Sequence, residues 1–203
     1  MNNLLQRLGF FFLSCWLVLA LTCCSSSVPK INYYSLVGPP EIAPTPTTQS
    51  GRFAILIGPV SLPDILRRPQ IVTGRSEDRY QLSENHRWGG ELDQEFARAL
   101  GECLAGELGT EKIALYPMGQ FLHPTHQVIV DVLTLDGMVA SEARLIVRWS
   151  LMDPTNKKVQ VTRRSYFRQQ PADKSYDAWV AAQRKNLQRF GQEISAAIQG
   201  QKT

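Results

Sequence analysis

Along the second half of the chain, apolar and polar residues alternate with a period of two. In MVASEARLIVRWSLMD (138–153), Val139, Ala143, Leu145, Val147, Trp149 and Leu151 fall on one face, while Glu142, Arg144, Arg148 and Ser150 fall on the other. Side chains of a strand point alternately to its two faces, so this spacing predicts a strand with one buried side. HQVIVDVLTLDG (126–137) precedes it as another long strand, and Asp136-Gly137 predicts a tight two-residue hairpin between them. After a turn at Asp153-Pro154-Thr155-Asn156, KKVQVTRRSYFRQ (157–169) alternates again, with Val159, Val161, Ser165 and Phe167 inward.

Two stretches have the helical period instead. Leu92, Phe96, Leu100, Cys103, Leu104 and Leu108 make a stripe over 91–108, and Tyr176, Trp179, Val180, Leu187, Phe190, Ile194 and Ile198 make one over 175–198. Shorter extended runs are predicted at 31–36, 52–60 and 113–118, and a hairpin at 70–84 around Arg75-Ser76-Glu77-Asp78. GPPEIAPTPTTQSG (38–51), LPDILRRP (62–69) and NHRWGG (85–90) read as connections. Two helices packed on one face of a mostly antiparallel sheet define an α+β two-layer fold.

The first residues follow neither pattern. MNNLLQRLG carries one cation and no acid, and FFFLSCWLVLALT (10–22) is almost wholly apolar, the charged start and apolar middle of a signal peptide. That run falls short of the roughly 20 residues that span a bilayer. Leu21-Thr22-Cys23-Cys24 then resembles a bacterial lipobox with Cys24 as the acceptor; Cys23 stands where Gly, Ala or Ser is usual. An uncleaved anchor or a different cut is the alternative. The domain reading is 1–23 signal peptide, 24–30 lipidated tether and 31–203 a single globular domain. Of Cys15, Cys23, Cys24 and Cys103, only Cys103 keeps a free thiol after lipidation of Cys24, so no disulfide within the chain is available. Its place on the first helical stripe makes it a small core residue. Ser25 after the acceptor, in place of Asp, resembles an outer-membrane sorting signal, and the short tether would hold the domain within roughly 20–25 Å of the bilayer.

Composition narrows the chemistry. The formal charge is +4 and becomes +3 without Arg7, with no basic cluster of the kind that binds nucleic acid. His86, His123 and His126 are read as surface loop histidines, since His123 and His126 supply two ligands without helical spacing, and no metal site is expected. Glu91, Asp93 and Glu95 complement the positive end of the first helix, which accounts for them without catalysis. There is no Gly-x-Ser-x-Gly elbow, P-loop or dinucleotide fingerprint. No catalytic residue and no cofactor beyond the lipid on Cys24 is expected. Arg144, Arg148, Arg163, Arg164 and Arg168 form either a solvated sheet face or a basic binding surface. Trp88, beside His86, Arg87 and two glycines, either anchors an interface or staples its loop onto the first helix.

Taken together, the lipobox, NYYSL, IGPVSLPDILRRPQIV and YQLSENHRWGGELDQEFARAL resemble the PqiC-like ABC-type transport auxiliary lipoproteins. The similarity continues through RWSLMD and SYDAWVAA and departs from the pattern at Cys23. The resemblance implies a non-enzymatic, lipid-anchored subunit on the periplasmic face of the outer membrane. It would dock a tunnel-forming MCE-domain protein and inner-membrane transporter components, with self-association into a homo-oligomer as an option. Tyr80, Arg87 and Trp88 are the partner-binding candidates by position. A lipid- or envelope-polymer-binding lipoprotein acting alone is the competing reading, and a factor helping outer-membrane assembly a third.

Overall fold

Both helical stripes form helices: α1 spans Leu92–Leu108 and α2 spans Tyr176–Gly200. Asp93 and Glu95 lie in the first turn of α1, and Gly109, left-handed at φ 60°, closes it with its N–H on Ala105 O. Ser175 caps α2, its Oγ accepting from Ala178 N at 3.1 Å. The computed structural model describes residues 29–39, 52–76 and 79–200. The predicted signal peptide and lipidation site Cys24, most of the predicted tether, the Pro/Thr-rich stretch 40–51, Glu77-Asp78 and residues 201–203 lie outside the described residues. Met1–Lys30 and Ile31–Thr203 are separate units, and every element below belongs to the second.

The α+β class holds, but the strands divide into two sheets. One contains β1 (Asn32–Tyr34), β3 (Gln70–Ser76) and β4 (Arg79–Trp88) in the order β1-β4-β3. The other contains β2 (Ile55–Ser61), β5 (Ile113–Leu115), β6 (His126–Asp136), β7 (Ala143–Asp153) and β8 (Lys158–Gln169) in the order β5-β2-β6-β7-β8. The long β6-β7-β8 ladders are antiparallel, whereas β2 runs parallel to both β5 and β6, and β1 parallel to β4. Gly74 N donates to Gly137 O at 2.7 Å and ties the two sheets together.

α1 covers β2 and β5, and α2 covers β7 and β8 on the same face. The space between helices and sheet is filled by large side chains: Phe190 of α2 has ring centroids 6.3 Å from Phe96, 6.1 Å from Trp149 and 5.9 Å from Phe167. Trp149 and Phe190 are essentially without solvent contact. The helices meet closely at Gly191, where an added Cβ would stand 2.8 Å from Cys103 Cβ. Cys103 is half-buried there, and burial, with Glu107 and Glu102 adding to it, pushes its thiol up to about 11. A thiol so held is a poor nucleophile.

Three local expectations change. The hairpin at Asp136-Gly137 is a longer connection, and β7 starts only at Ala143. Gly137 has φ 125° with Glu142 O packed against it, and Met138 O accepts from Ser141 N and Glu142 N, so 137–142 fold as a turn of their own and Val139 leaves the strand. The fifth strand stops at Leu115. NHRWGG is not a connection: β4 runs through to Trp88 because β1 lies alongside, pairing Asn32 with His86, Tyr33 with Arg87 and Tyr34 with Trp88. A partner some fifty residues away in sequence supplies the ladder that the local residues do not advertise.

Candidate docking site

β4 sorts its last residues onto two faces. His86 and Trp88 turn toward α2, while Arg87 turns with Tyr33 to the other side. His86 stacks on Tyr176 with ring centroids 3.8 Å apart and planes 10° from parallel. Its Nδ1 is 2.8 Å from the Tyr34 hydroxyl. Burial, then Asp177 and Tyr176, raises the Tyr34 phenol above its ordinary value, so it stays protonated. His86 is therefore a half-buried member of an aromatic cluster and not a surface loop histidine.

The segment after β1 is strapped to both helices. Arg184 of α2 donates to Ser35 O from Nε at 3.1 Å and Nη2 at 2.7 Å. Glu95 of α1, 9 % exposed, accepts from the Ser35 hydroxyl and from Leu36 N at 3.2 Å. Glu95 thus does more than complement the α1 dipole: it satisfies a backbone amide that would otherwise be buried without a partner. Between β1, β4 and the start of α2 opens a recess of about 710 Å³, lined by Tyr33, His86, Lys174, Tyr176, Asp177 and Arg184 among others. Its walls are aromatic and charged, suited to a polar protein segment and not to an acyl chain.

The positional candidates do not form one patch. Tyr80 is 43 % exposed near the start of β4. Arg87 lies seven residues further on, roughly 20–25 Å along the strand. Arg87 is half-buried, with Nε shielded and without a hydrogen-bond partner among the described residues. Trp88 is 3 % exposed, packed 6.4 Å from Trp179, and presents almost no surface to a partner. Tyr34, Tyr176 and Arg184 escaped sequence reasoning because nothing local links them. Their one early sign was an aromatic pair, Tyr33-Tyr34, at a strand end.

Elsewhere, Arg144 is engaged by Asp136 at 2.8 Å, and Arg148 by Asp131 at 3.6 Å. His126 starts β6 half-buried, and burial lowers its pKa against the opposing pull of Asp153. Among the described residues no three His, Cys, Asp or Glu side chains converge as metal ligands. No described helix is long and apolar enough to cross a membrane.

This architecture is that of an auxiliary lipoprotein of a transport system: residues 34–195 match the family of ABC-type transport auxiliary lipoprotein components, and the chain belongs to it. Over 109 residues it is 32 % identical to the intermembrane transport lipoprotein PqiC of Escherichia coli, covering 51 % of this chain and 57 % of that protein. The chain thus spans just over half the length of the curated relatives it matches. The fold is shared with a crystal structure of an uncharacterised protein at TM-score 0.66 and 20 % identity, covering 83 % of this chain and 99 % of that one. It is shared also with a protein of Xanthomonas campestris at TM-score 0.63 and 14 % identity, covering 82 % and 94 %.

Proposed function

We propose that the protein is a non-enzymatic adaptor, anchored through a lipid on Cys24 to the periplasmic face of the outer membrane. There it docks the periplasm-spanning MCE-domain protein of a PqiABC-like lipid transport system, whose other components sit in the inner membrane. Membership of the auxiliary lipoprotein family, with a relative named for intermembrane transport, carries this reading. The interior supports it: Phe96, Trp149, Phe167, Trp179 and Phe190 occupy the space between helices and sheet that a carrier would need for an acyl chain. In this reading the recess beside His86 and Tyr176 contacts the partner, Arg87 and the more distant Tyr80 remain separate candidate contacts along β4, and Trp88 acts from within by holding β4 in place.

The test is crosslinked purification of the full-length lipoprotein from membranes with mass spectrometry of what accompanies it. Recovery of an MCE-domain protein is the expected result, and recovery of phospholipid without a protein partner would replace the adaptor by an independent carrier. In parallel, Cys24→Ala is expected to move the protein from the membrane to the soluble fraction. Retention in the membrane would show that another segment anchors it.

A further inference from the structure

β8, Lys158–Gln169, is the outermost strand of the five-stranded sheet, and among the described residues nothing pairs with its free side. An edge of this length exposes a row of backbone N–H and C=O groups able to receive another strand. Its sequence, KVQVTRRSYFRQ, holds four basic residues and no acid. Arg163, Arg164 and Arg168 are exposed. Arg168 faces Glu142 at 3.6 Å, whereas Arg164 lies over the Tyr166 ring at 5.4 Å; among the described residues no carboxylate is within ion-pair distance of Arg163 or Arg164. Arg189 of α2 adds a further cation, donating to Arg168 O at 3.4 Å. Val159 and Tyr166, 53 % and 61 % exposed, give the edge apolar footholds.

We propose that β8 is a strand-addition site for an extended acidic segment of a different protein. The charge pattern decides between occupants. Two copies of β8 joined in any register bring together two strands that each hold four cations and no acid, and an antiparallel pair about a twofold axis at Arg163 or Arg164 would set arginine directly opposite arginine, which is destabilising in a cross-strand pair. The undescribed parts of this chain do not suit either: residues 1–28 and 201–203 contain no acid, 40–51 contain one, Glu41, among prolines that cannot donate to a ladder, and Glu77-Asp78 are two residues between β3 and β4, too few to add a strand. An incoming strand with carboxylates opposite the arginines gains both the ladder and the charge pairs, and the arginines that repel a second copy become the selecting feature. The site does not depend on which transport system the chain serves.

The test uses the full mature domain and a short blocked peptide alternating glutamate with threonine and valine. Fluorescence anisotropy reads binding, and amide hydrogen exchange reads protection of β8. The glutamate peptide is expected to bind and to slow exchange across Val161–Gln169. A peptide of equal charge with proline at alternate positions, and the lysine counterpart, are expected to bind at least about tenfold more weakly. Arg163→Glu/Arg164→Glu should abolish binding with an unchanged near-ultraviolet spectrum, and Arg163→Gln/Arg164→Gln should fall between it and the parent protein. The proposal is overturned if the glutamate peptide does not bind, or if the proline peptide binds equally, which would make the contact one of charge alone. It is overturned equally if phosphatidylglycerol vesicles protect these amides while the peptide does not, marking a membrane surface, or if the parent protein self-associates through β8.

Discussion

Trp88 of β4 and Trp179 of α2 pack with ring centroids 6.4 Å apart at 42°, joining the three-stranded sheet to the second helix. Trp179 also donates from Nε1 to Glu142 O at 3.2 Å, so the same indole fixes the turn before β7. Trp88→Ala is expected to destabilise by about 3–5 kcal/mol in urea unfolding, the range for emptying a large buried aromatic site. Trp88→Phe should cost clearly less. Partner recovery should fall only in proportion to the unfolded fraction; loss of binding by a fully folded Trp88→Phe would instead assign the indole a direct contact.

At the crossing of the helices, Gly191 leaves room for the Cys103 side chain. Gly191→Ala should cost about 1–3 kcal/mol by forcing α1 and α2 apart. Cys103→Gly in that background should recover part of the loss, because it removes the Cβ that clashes. Cys103→Ser should recover none. Thermal melts of the three variants separate these outcomes.

Asp136, 2 % exposed, is held by Arg144, while Gln183 of α2 donates to Asp136 O at 3.0 Å and to Arg144 O at 3.2 Å. Arg144→Met leaves a buried carboxylate without its cation and is expected to cost about 3–5 kcal/mol. Adding Asp136→Asn should restore part of that loss, since the uncompensated charge is gone. A double variant no more stable than Arg144→Met would show that packing of the Arg144 side chain, and not the uncompensated charge on Asp136, carries the effect.

Burial holds the His126 imidazole below its ordinary 6.5. The unfolded chain therefore takes up the proton first as pH falls, and stability depends on pH in that window. It should be full above about 6.5 and should decline as pH drops through 6.5 toward the lowered value of the folded state. His126→Gln should flatten this part of the profile, as read from urea midpoints across the acid range. An unchanged slope would move the dependence to other groups.

The sequence by itself determined what rests on periodicity within a segment. The alternation of Leu145, Val147, Trp149 and Leu151 and the stripe through Trp179, Leu187 and Phe190 each report one buried face, and β7 and α2 follow because that burial outweighs any competing local preference. The motifs from NYYSL to SYDAWVAA likewise carried the family. Tertiary structure decided what depends on partners remote in the chain. Trp88 looked like a loop residue because its neighbours His86, Arg87 and two glycines form no pattern; β1 alongside and Trp179 beneath made it strand and core. Glu95 looked like a helix-dipole charge until Ser35 and Leu36 came to rest on it. Beyond the aromatic pair Tyr33-Tyr34, the recess leaves no sign in the sequence for the same reason: His86 meets Tyr34 and Tyr176 only when β4, β1 and α2 converge, and convergence is a property of packing, to which short-range spacing is blind.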